Sequence, residues 1–172
     1  MNYKDNSSYL RTNAVNYAIN YAIVPNPAYR YFSVYGNDGG DCTNFTSQCL
    51  KAGGAPMVFT DKNPWWYKNN LKSSGDSWSV SWSVAGSLYW YLKINAEEKS
   101  QGLKGMEVPS VSMLELGDII FYENARGRIA HSAIITSFYN DHPLISQHTP
   151  NSLNISHIKK WAAKTHFIKI YL

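Results

Sequence analysis

Both cysteines of the chain fall in one stretch, GGDCTNFTSQCLKAGG, which runs from Gly39 to Gly54 and is bracketed by paired glycines. If Cys42 and Cys49 share a helix, seven residues set their Cα atoms about 10 Å apart, beyond the roughly 7 Å that a disulfide spans. They are not expected to pair. Asp41 reads as a helix N-cap, which puts Cys42 in the first turn. There the unsatisfied N–H groups and the positive end of the helix dipole favour a thiolate, the form that attacks carbonyl carbon. The same N–H groups can hold an oxyanion, and the glycines before them let a substrate backbone come close. Cys49, two turns deeper, reads as a small buried hydrophobe.

A thiolate nucleophile needs a partner base, and the histidines are His131, His142, His148, His157 and His166. His131 opens an apolar run, His131 to Thr136, directly after a loop. His148 closes the next run, at the end of Leu144-Ile145-Ser146-Gln147. In an antiparallel pair the start of one strand lies beside the end of the next, so His131 and His148 are expected to be neighbours, a base and its orienter. His142 sits in a turn, and His157 and His166 in the tail, where ordinary structural histidines are expected. Cys42, His131 and His148 also have the residue types of a zinc site, but no short HxxxH or CxxC unit anchors one, so the reading is metal-free. Serine-hydrolase, phosphate-loop and dinucleotide motifs are absent, Ser77 in GDSWS does not replace the first, and no cofactor is expected.

These residues must be positioned by helices and a sheet. From Tyr9 to Ile23, Leu10, Ala14, Tyr17, Ala18, Tyr21 and Ala22 recur at helical steps, and Val24-Pro25-Asn26-Pro27 stops the helix. A second helix starts at Asp41, buries Phe45, Cys49 and Ala52, and exits at Gly53-Gly54 in a left-handed turn. Trp78, Val80, Trp82 and Val84 alternate with serines as in a half-buried strand, followed by a short helix at Leu88, Tyr91 and Leu92. Lys93 to Met113 is polar and reads as a surface insertion. Asp118 to Tyr122, His131 to Thr136 and Pro143 to Gln147 read as adjacent antiparallel strands. A short helix around Ile158 to Trp161 and a final strand, His166 to Tyr171, complete an α+β order, helices first and then a sheet.

At 172 residues, 44% hydrophobic and 16% charged, the chain can bury a core and is expected to form one domain, residues 1–172. A net charge of +4 without a Lys/Arg run longer than Lys159-Lys160 argues against specific nucleic-acid binding. No apolar run reaches the roughly 18 residues of a membrane span, and the polar start MNYKDNSSYLRTN lacks a secretory signal, so no membrane insertion is expected. The chain then acts in the cytoplasm, leaves by a leaderless route, or is part of a longer exported protein.

With Cys, His and His in that order, the chain resembles the bacterial papain-like hydrolases, and among them the putative amidase domain family. The residues that carry this are Asn16-Tyr17-Ala18 to Asn26-Pro27, the block GGDCTNFTSQCLKAGG, Gly117 to Tyr122, His131 to Thr136, and Ser146-Gln147-His148-Thr149. More distantly it is similar to NlpC-type peptidases and CHAP-type amidases. The resemblance implies a papain-like core with the nucleophile at a helix N-terminus packed on an antiparallel sheet. It implies Cys42 as nucleophile, His131 as general base and then acid, and His148 as third member, with Asn151 as substitute. The upstream glutamine of papain has no counterpart, which leaves Asp41, Asn37 and Tyr35 as candidates for oxyanion or substrate contacts. The implied substrate is an amide or peptide bond in peptidoglycan, cleaved by a monomer. Trp65, Trp66, Trp78 and Trp82 are candidates for contacting it, although the alternation favours core packing for the last two. The rivals are a binding module of the same fold that has lost turnover, and a thiol acyltransferase or toxin acting on another protein.

Overall fold

The computed structural model describes residues 9–36, 38–70 and 75–172. Helix α1 (Arg11–Tyr21) buries Ala14 and Ala18, and Ala22 beyond its end. Small side chains on this face let it approach α2 (Cys42–Ala52) closely. Between them runs a two-stranded ribbon, β1 (Val34–Tyr35) with β2 (Asp38–Gly39), which delivers the chain to the nucleophile stretch. The exit of α2 is shaped by its neighbours: a Cβ on Gly53 would meet the Tyr9 ring at 2.4 Å. Gly53 itself keeps φ at −70°, and the left-handed residue is Gly54, at 92°.

The middle of the chain departs from its alternating pattern. Among the described residues Tyr67–Lys68 (β3) pairs with Ser77–Trp78 (β4), and Val58 bridges Trp65. Val80–Ser83 form a helical turn, α3, and Ala85–Glu98 form the fourteen-residue α4. Tertiary contacts override the two-residue period. Trp82 is fully buried beside Trp65, with ring centroids 5.0 Å apart, and its indole N–H donates to Asn44 Oδ1 at 2.7 Å. Trp65 is buried too, whereas Trp66 and Trp78 are half-buried.

The expected insertion is a correction as well: α4 runs to Glu98 and is followed by an edge strand, β5 (Lys104–Val108). A Cβ at Gly105 would collide with Ile168 at 2.6 Å and Leu92 at 2.8 Å, so glycine lets α4 and the sheet close over this strand. Strands β6 (Ile119–Glu123), β7 (Ile129–Tyr139), β8 (His142–Gln147), β9 (Ser152–Ser156) and β10 (Lys164–Tyr171) follow. With β5 they form an antiparallel sheet in the order β5-β10-β6-β7-β8-β9. The three adjacent strands read from the sequence are β6, β7 and β8. No helix forms around Ile158–Trp161, where the chain makes a turn.

Alternate residues of the central strands feed two apolar layers. Ile119, Phe121 and Ile134 join the helix layer of Phe45, Leu50, Leu88 and Leu92. Ile120, Tyr122, Ala133, Ile135 and Ile145 form a smaller cluster on the other face. Each buried large side chain contributes about 1.5–3 kcal/mol. Both faces of β6 and β7 are covered, which is why their sequences read as continuous apolar runs rather than alternating ones. The architecture is α+β, and among the described residues no helix is long and apolar enough to cross a membrane.

Candidate active site

Cys42 and His131 meet at the junction of α2 and β7. Cys42 is 7% exposed and begins its helix. Burial alone would push its thiol up. The charge of His131, a hydrogen bond from that ring, Thr43 Oγ1 and the Ser132 backbone N–H together outweigh burial and bring the thiol down to about 7. Thr43 Oγ1 lies 3.6 Å from the sulfur and is itself fixed by Ser132 Oγ at 3.1 Å. Ser132 Oγ also meets Thr46 Oγ1 at 3.1 Å, so β7 is pinned to the first turn of α2 beside the sulfur. Cys49 differs completely: it is fully buried, and desolvation pushes its thiol well above the ordinary range. Both cysteines are free.

The third position is a correction. His131 Nε2 lies 2.9 Å from Gln147 Oε1, and Gln147 donates from Nε2 to the Pro150 carbonyl at 3.1 Å. The amide is thereby fixed with its oxygen toward the ring, and Nε2 of His131 carries the proton in that contact. His131 then has Nδ1 left for the sulfur. His148 does not reach His131. Its Nδ1 contacts Asp41 Oδ2, and its Nε2 lies 2.8 Å from the Tyr21 carbonyl. Strand parity explains the exchange. Ile134 pairs with Ser146, and continuing that register sets His131 opposite Thr149, on the same face as Gln147. His148 falls on the opposite, helix-covered face, stacked on Phe45 with centroids 4.1 Å apart. A one-residue offset along a strand reverses the face of a side chain. Cys42, His131 and His148 therefore do not converge as a ligand set. Asn151, the substitute, accepts from Tyr31 Oη and donates to the Ile23 carbonyl, away from His131.

Asp41 occupies the N-cap position without capping the helix. Its carboxylate accepts from the Phe32 backbone N–H at 2.8 Å and from Asn44 Nδ2 at 2.8 Å, and it meets His148. The carboxylate thus braces the loop rather than facing substrate, a correction to the oxyanion expectation. Its own N–H donates to Thr149 Oγ1 at 2.8 Å. With the cap turned away, the backbone N–H of Cys42 stands in the first turn of α2, where a helix supplies no acceptor of its own. Tyr35 is 81% exposed on β1, and Asn37 lies outside the described residues.

The sulfur opens into a cleft of about 750 Å³. Its walls are Gly39 and Gly40, the α3–α4 corner at Ser83 to Ala85, the β6–β7 turn with Arg126, and Trp161. Trp161 stands edge-on to His131, with centroids 6.3 Å apart, and 6.0 Å from the Tyr122 ring. A second cavity of about 440 Å³, near Met57, Asn63 and Gly102, shares no lining residue with this cleft.

The family described as "Putative amidase domain" matches residues 8–171. Two curated relatives come from Bacillus subtilis (strain 168). "Uncharacterized protein YhbB" is 38% identical over 148 residues, covering 84% of this chain and 42% of the relative. "Uncharacterized protein YjcM" is 32% identical over 151 residues, covering 83% of this chain and 31% of the relative. The chain thus spans less than half the length of either. No solved structure matches it. A family match over nearly the whole described sequence shows that the chain belongs to the putative amidase domain family.

Proposed function

We propose that the chain is a single cysteine-dependent amidohydrolase domain of papain-like design, with Cys42 as nucleophile, His131 as base and acid, and Gln147 as orienter. The observation that carries this reading is the meeting of a buried thiol at the start of α2 with the buried His131 ring, whose charge and hydrogen bond, with Thr43 and the Ser132 N–H, bring that thiol down to about 7. Cys49, which lacks such a partner, is driven the other way.

The thiolate of Cys42 attacks an amide carbonyl, forming a C–S bond and an oxyanion, toward which the Cys42 N–H is directed. The protonated His131 gives its Nδ1 proton to the leaving amine as the C–N bond breaks, leaving a thioester. The neutral ring then takes a proton from water, hydroxide adds to the thioester, and the thiolate departs as the acid is released. Gln147 fixes the ring so that Nδ1 faces the sulfur throughout. These residues supply nucleophile, base and orienter without a cofactor.

For substrate we propose an amide or peptide bond of peptidoglycan, on the strength of the family's amidase description and an open, polar cleft. The test is digestion of purified peptidoglycan, with fragment masses read by mass spectrometry. Intact stem peptides signify a sugar-to-peptide amidase and split stems an endopeptidase, and Cys42→Ala abolishes either. Wild-type turnover that survives in Cys42→Ala overturns the cysteine mechanism, and the absence of any released fragment overturns the substrate.

A further inference from the structure

Five of the six tryptophans have their ring covered. Trp65 and Trp82 lie parallel to Tyr91 and Tyr29, Trp66 and Trp78 to Phe59 and Tyr67, and Trp90 carries the Lys93 ammonium. Trp161 alone has neither a stacked ring nor a cation over it among the described residues, and it is 50% exposed. Its ring neighbours meet it at an angle, His131 edge-on and Tyr122 tilted by 49°. It is also the largest apolar side chain lining the Cys42 cleft, to which Val84 and Ile129 add hydrocarbon. The turn between β9 and β10 holds it in place. The Ala162 N–H donates to the Lys159 carbonyl at 3.1 Å and the Ala163 N–H to the Glu123 carbonyl at 2.9 Å, while Tyr122 Oη donates to the His157 carbonyl at 2.8 Å. An uncovered, pre-positioned indole in a cleft is a surface for a ligand, and fixing it costs little entropy on binding.

His131 decides which part of a substrate passes this ring. It gives its proton to the leaving amine, so that nitrogen must come within about 3 Å of the imidazole. The group on the nitrogen then runs beside the tryptophan that borders the same imidazole. We propose that Trp161 forms the leaving-group subsite and selects amines whose side chain is longer than a methyl, hydrocarbon-stemmed or aromatic. The proposal rests on the acid–base reading of His131 for the side of the bond it assigns, and it names the substrate class of that site. Covering the indole with such a side chain gives binding energy that ammonia or a glycyl amine lacks.

Two neutral alkylators test the contact without a known substrate. N-methyl- and N-benzyl-iodoacetamide bring the same reacting carbon to the same thiolate and differ in one ring. The ratio of their rates at Cys42, benzyl over methyl, therefore cancels any change in thiolate fraction. In the folded wild type it is expected to exceed that of the unfolded chain. In Trp161→Ala it falls about three- to tenfold, the worth of one aromatic pair, and Trp161→Phe restores most of it. A folded wild-type ratio equal to that of the unfolded chain, or unchanged in Trp161→Ala, overturns the proposal. The peptidoglycan digest reads the side of the bond. The newly freed amine is expected on a residue with a side chain longer than methyl, and a freed alanine, glycine or ammonia overturns the leaving-group assignment. If the ratio behaves as expected while peptidoglycan releases nothing, the aromatic subsite stands and the peptidoglycan reading falls. If peptidoglycan is cleaved while the ratio ignores Trp161, the reverse holds.

Discussion

A thiol and an imidazole in contact share one proton, and the surroundings decide which of them holds it. At Cys42 the Ser132 N–H and the Thr43 hydroxyl solvate the sulfur, while Gln147 Oε1 accepts from the far side of the ring. The polar neighbours thus favour the charged pair. Gln147→Ala removes the acceptor from the ring and the donor to the Pro150 carbonyl, which keeps the Ser152 hydroxyl, so kcat is expected to fall roughly 10- to 100-fold, part of what a positioned acid–base contributes, with about 1 kcal/mol of stability lost. His148→Ala acts differently, because it leaves the buried Asp41 carboxylate without that partner. It is expected to cost about 1–3 kcal/mol of stability, seen as a lowered Tm. Kinetics and thermal melts on the two variants separate the roles. The sequence exposed the nucleophile and base through their types and positions. It did not reveal which of Gln147 and His148 faces the ring, because that depends on a register set by contacts between strands.

The loop that carries the nucleophile is held by fitted parts. Gly40 has φ at +109°, and a Cβ there would meet the Thr149 side chain at 2.8 Å. The same threonine accepts the Asp41 N–H through its hydroxyl, so the approach is what joins the Cys42 loop to the end of β8. Gly40→Ala is expected to cost about 1–3 kcal/mol from backbone strain and the displaced threonine, and to slow alkylation of Cys42. Chemical denaturation and labelling rates check both effects. The helices α1 and α2, by their apolar period, and the strands β6 to β8, as apolar runs, were legible in the sequence. Strand β5 was not, because Lys104-Gly105-Met106-Glu107-Val108 has neither alternation nor β-branched bulk until Val108. Its strand character comes from pairing with β10, Phe167 to Val108 through Tyr171 to Lys104.

Across the molecule, the first helix is tied to the sheet by a buried carboxylate. Asp118, fully buried, accepts from Arg11 Nη1 at 2.6 Å, from the Ile170 N–H at 2.9 Å and from the Glu115 N–H at 2.8 Å. Arg11 also donates to the carbonyls of Leu116 and Ile170. Arg11→Ala removes the charged donor and is expected to cost about 1.5–3 kcal/mol in equilibrium unfolding, with Cys42 reactivity largely kept because the site lies at the other end of these strands. The helices-then-sheet order was readable from the chain. The cleft was not, since it gathers residues from the Cys42 loop, the α3–α4 corner, the β6–β7 turn and Trp161.

The most direct measurement is the pH dependence of Cys42 alkylation by iodoacetamide, in the wild type and in His131→Ala, with labelled sites identified by mass. Only the thiolate reacts, so labelling is lost as the pH falls through the thiol's own midpoint. The wild type is expected to show that midpoint at about 7, and His131→Ala to move it up toward the ordinary thiol range near 9, with Cys49 silent in both. A wild-type midpoint already near 9 that ignores the loss of His131, or labelling of Cys49 before Cys42, would contradict the account.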